Sequence, residues 1–256
     1  MHAKQSLGQN FLMHARIAER IALVAELTKE SVVFEIGPGT GMLTRELLKL
    51  AGRVIALEAD HELFEKLQSE FAREIAEGRL ELISGDIRIF DIDTLSKEYA
   101  LVANIPYYLT GEIFRMFLTA ENQPSSMTLL VQKEVAERIA RSKKESILSL
   151  SVKAYGAPKL EFTVPRGAFN PAPNVDSAVL TIRDISRKNF CEGQTFTSAQ
   201  EREKLFFTLL HAGFAHKRKF VRKNLLEAGL PSGNIPEKAR AEDLSLDDWL
   251  VLVTQQ

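Results

Sequence analysis

The chain has 256 residues, 45% of them hydrophobic, and its 33 Lys and Arg against 34 Asp and Glu leave a formal net charge of -1. That length suits one full α/β domain and a small second one, and so even a balance excludes binding of polyanions through overall charge. A single cysteine, Cys191, excludes an internal disulfide, and no apolar run approaches the roughly 20 residues of a membrane helix, so a soluble cytoplasmic protein with no membrane partner is expected.

In chain order, residues 1–10 are polar and lack the apolar centre of an export signal, but Phe11 and Leu12 at their end predict a tail docked on the domain. A helix is expected over 15–26. Val32-Val33-Phe34-Glu35-Ile36-Gly37-Pro38-Gly39-Thr40-Gly41 then runs from β-branched residues into three alternate glycines, and 42–50 follow with helical spacing. That is strand, tight turn, helix. Glycine reaches positive φ and lets a ligand approach where a Cβ would block it. Pro38 removes one N–H from the turn, which disfavours a pyrophosphate and favours S-adenosylmethionine (SAM) as the ligand.

Residues 53–58 read as a second buried strand ending in Glu58, about 20 residues beyond the glycines, where such folds place a carboxylate on ribose hydroxyls. Asp60 is the expected N-cap of a helix running to 77. The third strand, 80–84, leads into Gly85-Asp86. An acid there faces the ligand crevice and can accept from an adenine amino group. The fourth strand, 99–103, runs straight into Asn104-Ile105-Pro106-Tyr107-Tyr108.

A helix is expected over 111–118, a strand over 127–131, a helix over 134–141 and another buried element over 147–154. Strands over 160–164 and 178–182 bracket the Pro- and Gly-rich 165–175, which by composition is a solvated loop. Strand–helix units in series predict a parallel doubly wound sheet. Residues 184–199 turn polar and aperiodic, the expected linker; an amphipathic helix over 200–213, a second helix ending at 224–229, and a short acidic segment with an apolar last helix within 241–256 complete the chain. The division expected is an α/β domain over 1–185 and a small all-α domain over 186–256.

Asn104-Ile105-Pro106-Tyr107 suits chemistry on an exocyclic adenine amine, whose lone pair is delocalised into the ring. Two acceptors aimed at its hydrogens, the Asn104 side-chain oxygen and a backbone carbonyl beside Pro106, pull the nitrogen toward sp3 and free that lone pair. Tyr107 offers a ring to stack on, worth about 1–3 kcal/mol per base. With a sulfonium methyl donor the protein's task is mainly in-line positioning, and the target base must be unpaired or flipped out.

Lys4-Gln-x-Leu-Gly-Gln-Asn10-Phe-Leu12, Glu35-Ile-Gly-Pro-Gly-Thr-Gly41, Asn104-Ile-Pro-Tyr107 and Phe169-x-Pro-x-Pro-x-Val-Asp-Ser177 occur in that order. Together they resemble the ribosomal RNA adenine N6,N6-dimethyltransferases, most of all the KsgA (RsmA) type acting on small-subunit RNA, over nearly the whole chain. The resemblance implies a Rossmann-like SAM-dependent methyltransferase fold with a small all-α C-terminal domain. It implies that Asn10 and Leu12 close over SAM, that Gly37 contacts it, and that Glu58 holds its ribose and Asp86 its adenine amine. Asn104 would touch both cofactor and target, and Phe169 would stack on the face of the target base opposite Tyr107, which replaces the bland loop reading of 165–175. The function implied is N6,N6-dimethylation of adjacent adenosines near the 3′ end of 16S rRNA, in the immature small ribosomal subunit, by a monomer. At 141–152 the chain departs from the family's usual Tyr-Gly before Leu-Ser-Val, in a loop that faces RNA in relatives.

Residues 214–224 hold five Lys and Arg and no acid. They resemble the family's basic helical segment, so Lys217, Arg218, Arg222 and Lys223 are the expected RNA-phosphate ligands. Arg138, Arg141, Lys143 and Lys144 form a second basic group on the first domain. The five histidines show no metal spacing, and no metal site is expected. Two other readings stay open on the same motifs: a large-subunit (23S) rRNA adenine methyltransferase of the macrolide-resistance type, and a non-catalytic RNA-binding or transcription factor. The C-terminal helices and the Phe169–Ser177 motif favour small-subunit RNA, and intact Asn104 and Tyr107 favour an enzyme.

Overall fold

Phe11 and Leu12 form a strand of their own, β1 (Phe11–Leu12), paired antiparallel with β8 (Phe169–Asn170) and extended by a bond from Met13 N–H to Ala168 O of 2.9 Å. The computed structural model describes residues 9–191 and 198–254, so Lys4, Leu7 and Gly8 of the N-terminal motif lie outside the described residues. After β1 come α1 (Ala15–Val24), β2 (Val32–Ile36), α2 (Met42–Leu50), β3 (Arg53–Glu58), α3 (His61–Glu70), α4 (Ala72–Ala76) and β4 (Leu80–Ser84). Then follow β5 (Tyr99–Asn104), α5 (Thr110–Leu118), β6 (Ser126–Gln132), α6 (Lys133–Ala140), α7 (Ile147–Tyr155), β7 (Ala157–Val164), β8 and β9 (Ser177–Arg183). The rest is helical: α8 (Lys188–Cys191), α9 (Ala199–Gly213), α10 (Val221–Glu227) and α11 (Leu246–Thr254). By compactness the chain divides into Met1–Ala136 with Lys159–Ile185, and Glu137–Pro158 with Ser186–Gln256.

The first unit is a seven-stranded sheet in the order β4-β3-β2-β5-β6-β9-β7. β4 to β6 run parallel, but β9 runs antiparallel to β6, with Met127 opposite Ile182 and Gln132 opposite Ser177. The all-parallel expectation is corrected here. β9 is reached from β7 through a loop carrying only a one-turn 3-10 helix, Arg166–Ala168, and the two-residue β8, too little for the helical crossover that a parallel pair requires.

Successive strand residues face opposite sides, and β2 shows both. Val33 joins Ala18 and Ile21 of α1 and Leu43 and Leu47 of α2 in one core cluster. The Phe34 ring points the other way, stacked on Phe90 at 5.2 Å and 6.0 Å from Phe117 of α5. Both faces are covered, and the turns after β2 to β5 are left at one edge of the sheet, where doubly wound folds bind ligands.

The single helix expected over 61–77 is two. Phe71 interrupts it at φ -105 and ψ 22, with its ring 2% exposed in the same core cluster. Burying that ring against the glycine turn outweighs helical continuity.

In the second unit, α7 is capped by reciprocal bonds between Ser146 and Ser149. The rings of Tyr155, Phe190 and Phe206 pack at 5.4 and 5.6 Å, and Phe214 stacks on the buried Trp249 at 5.9 Å. α7 belongs here, although the sequence reading placed it in the first domain: the Tyr155 hydroxyl donates to Glu203 of α9 at 2.6 Å, and Glu145 N–H donates to Glu242 O at 2.8 Å. The stretch 184–199 is not all linker either. Phe190 of α8 is 1% exposed, and one aromatic in a polar background sets no periodicity to read. Residues 192–197 lie outside the described residues. Among the described residues no helix is long and apolar enough to cross a membrane.

Candidate functional site

A cavity of about 1080 Å3, its open mouth included, lies within the first unit, walled by residues 9–12 and by the turns after β2, β3, β4 and β5. The glycine turn forms one wall for two separate reasons. Gly37 has φ +66 and nothing within 4 Å of where a Cβ would sit, so its backbone borders open space. Gly41 has φ +74, and a Cβ there would lie 2.6 Å from the Phe71 ring, so packing requires the glycine.

Glu58 ends β3 at 4% exposure. Its Oε2 accepts the Gly39 N–H and its Oε1 the Asp60 N–H, both at 2.9 Å. Burial pushes its carboxyl above the usual range, opposed by the backbone N–H groups of Asp60, Gly39 and Ala59. Glu58 thus ties the end of β3 to the glycine turn, and each oxygen keeps a lone pair for a ligand hydroxyl. Asp60 caps α3 through Glu62 N–H at 3.0 Å and takes the Gln9 amide at 3.3 Å.

Asp86, after β4, accepts from Arg88: backbone N–H at 2.9 Å, and Nε at 3.1 Å to each oxygen. The Arg88 guanidinium holds its carboxyl below the usual range. Asp86 is on the cavity wall, where the sequence reading put it, and Arg88 shares its oxygens.

At the end of β5 the Asn104 amide donates to the Asn10 carbonyl at 3.1 Å, which leaves its oxygen as the free acceptor. The Pro106 carbonyl accepts Leu109 N–H at 3.0 Å and closes a one-turn 3-10 helix. The Tyr107 hydroxyl shares a 2.6 Å bond with Ser177, so the last motif meets the third here, and burial raises its pKa. Asn10, Leu12, Gly37, Glu58, Asp86, Asn104 and Tyr107 therefore share one cavity. Phe169 does not join them. It is 4% exposed in the core cluster with Leu12 and Ala168, behind the wall that β1 presents.

The sequence reading passed over Glu35 as a site residue. It is 1% exposed on the cavity wall, its Oε2 has no hydrogen-bond partner, and burial pushes its carboxyl up to about 8. The signal was present, an acid inside an apolar strand just before the glycines.

The basic residues belong to the second unit. Lys217, Arg218 and Lys219 sit in the turn before α10, and Arg222 and Lys223 in its first turn, so the segment is a turn and a helix start rather than one helix. Lys219 is held by Glu227 at 2.8 Å and Arg222 lies 3.9 Å from Glu237, while Lys217, Arg218 and Lys223 are exposed. Cations in a helix's first turn oppose its dipole, a cost that packing does not explain. Arg138, Arg141, Lys143 and Lys144 lie in this unit too, not on the first as the sequence reading had it, because the chain leaves the sheet within α6. Lys144 is paired with Glu242 and, at 3.9 Å, with Asp243. Among the described residues no group of His, Cys, Asp and Glu is arranged to hold a metal ion.

A family model described as ribosomal RNA adenine dimethylase matches residues 1–254. Relatives named ribosomal RNA small subunit methyltransferase A include one from Dehalococcoides mccartyi, 38% identical over 266 residues, covering 98% of this chain and 88% of its own. Another, from Listeria monocytogenes, is 37% identical over 233 residues, covering 87% of this chain and 75% of its own. Among solved structures, the 23S rRNA methyltransferase ErmE matches with a TM-score of 0.75 at 25% identity, over 96% of this chain and 100% of its own. A dimethyladenosine transferase from Plasmodium falciparum shares the fold, with a TM-score of 0.75 at 24% identity over 94% and 95%.

Proposed function

The chain belongs to the ribosomal RNA adenine dimethylase family and is a methyltransferase, and from that premise we propose that it dimethylates N6 of adenosines in small-subunit ribosomal RNA, with SAM as donor. The observation that carries this reading is Asn104: its amide donor is engaged by Asn10, so its oxygen is the acceptor left beside Pro106 and Tyr107.

The residues present fit SAM. The unpartnered Glu35 Oε2 suits a hydrogen-bond donor of the ligand, the open side of Gly37 suits close approach, and the Glu58 carboxylate suits the ribose hydroxyls. Asp86 would take the adenine amine as the Arg88 bonds loosen, and Asn10 and Leu12 would exclude water. When bound, SAM supplies a methyl group on a positively charged sulfur that a neutral amine can attack. The Asn104 oxygen and a backbone carbonyl beside Pro106 orient the amine's two hydrogens and hold its lone pair toward that methyl group. Tyr107 fixes the plane of the base, its ring anchored at the far end by Ser177. The methylated amine is acidic and loses its proton without a tuned base. Phe169 would have to leave the core to cover the other face of the base. Lys217, Arg218, Arg222 and Lys223 of the second unit hold RNA phosphates. Such a substrate places the enzyme in the cytoplasm, where small subunits assemble.

The test is incubation with labelled SAM and small subunits from an unmethylated strain, followed by mapping of the label. N6,N6-dimethyladenosine in small-subunit RNA is the expected product. Label confined to large-subunit RNA in a parallel incubation would overturn the reading in favour of the 23S alternative.

A further inference from the structure

Two large exposed side chains have no part in the chemistry above: Tyr108 on the cavity lining, and Ile89, which follows the lining residue Arg88. Ile89 is 86% exposed and Tyr108 is 59% exposed. They sit on the one-turn 3-10 helices Ile87–Ile89 and Tyr107–Leu109, which follow β4 and β5. Neither position is loose. Ile89 lies between Ile87, 5% exposed, and Phe90, whose ring stacks on Phe34, and its N–H donates to Asp86 O at 3.1 Å. Tyr108 lies between Tyr107, tied to Ser177, and Leu109, 7% exposed. Arg88, next to Ile89 in sequence, and Tyr108 both line the cavity.

A large aliphatic side chain held in water by neighbours anchored on both sides is unfavourable for the protein alone. A base drawn out of its stack leaves a gap of one base, and an apolar side chain entering such a gap offsets the lost stacking. An aromatic ring beside a guanidinium is the combination that takes a base face and its phosphate. We propose that Ile89 is the wedge that fills the place vacated by the target adenine, with Tyr108 as the platform for the neighbouring base. The proposal rests on the RNA-methylation reading above. The occupant is RNA because Arg88, next to Ile89, and Tyr108, next to Tyr107, line the cavity that the methylation reading gives to the target base.

The experiment measures single-turnover methylation of small subunits from an unmethylated strain, and of subunits rebuilt with an abasic nucleotide beside the target, where no stack has to be broken. Ile89→Ser is expected to slow methylation of natural subunits by about tenfold, and not to slow it on the abasic subunits. Ile89→Leu is expected to restore the parent rate, and calorimetry to give an unchanged SAM affinity for both variants. A parent-like rate for Ile89→Ser on natural subunits, or an equal loss on both substrates, would overturn the wedge. A parent protein that methylates neither substrate would overturn the reading beneath it, and the wedge with it.

Discussion

The side-chain amide of Asn104 donates to the backbone carbonyl of Asn10 at 3.1 Å, joining residues 94 apart in sequence. The residue proposed to present an acceptor to the target amine therefore also bonds the N-terminal segment that lines the cavity. Asn104→Asp keeps an acceptor but sets a carboxylate oxygen against the Asn10 carbonyl. SAM affinity should fall by about 1.5–3 kcal/mol in calorimetry, with partial methyl transfer remaining. Asn104→Ala should nearly abolish single-turnover transfer, because the amine lone pair stays conjugated. A rate for Asn104→Ala close to the parent's would show that this acceptor does not activate the amine.

Glu58→Ala should weaken SAM binding by about 1.5–3 kcal/mol through loss of a charge-assisted bond to the ribose. The glycine turn should loosen as well, since Gly39 and Asp60 lose their acceptor. Titration calorimetry reads the affinity, and an unchanged value would remove Glu58 as a ribose ligand.

Glu35 gives stability a pH dependence of definite sign. Its folded pKa of about 8 lies above its ordinary 4.5, so between those values the folded chain holds a proton that the unfolded chain has released. Stability then falls as pH rises through that window and levels off above it. Glu35→Gln, which carries no such proton, should gain in melting temperature on the parent steadily from pH 5 to pH 8. Parallel melting curves for parent and variant over that range would show the carboxyl to be ionised throughout.

Phe169→Ala should cost about 3–5 kcal/mol of folding stability, because the ring is 4% exposed within the core cluster. Denaturant titration checks this. A loss of turnover without a loss of stability would instead place the ring against the substrate.

Replacing Lys217, Arg218, Arg222 and Lys223 with Ala should weaken RNA binding and lower the slope of log affinity against log salt, by about 0.7–0.9 for each phosphate contact removed. SAM affinity should not move. Binding isotherms at several salt concentrations decide it, and a retained slope would return these residues to a solvated face.

Much of the site was legible because strand-end residues carry local signals. β-branched runs marked the strands, the acids at their ends marked Glu58 and Asp86, and the glycines marked the turn whose positive φ at Gly37 and Gly41 the backbone requires. Ordered motifs pointed to the family before any coordinate was known. The sequence by itself marked most of the residues that line the cavity and the stretches that repeat as strand and helix, since both signals depend on residues close together along the chain. Only the tertiary structure decided the rest. It turned β9 antiparallel, drew α7 to the C-terminal helices, joined Asn10 to Asn104 and Tyr107 to Ser177, put the Phe169 ring in the core and left the Glu35 Oε2 without a hydrogen-bond partner. Those outcomes depend on packing and desolvation between segments 70 or more residues apart for the hydrogen bonds, and no local period encodes them.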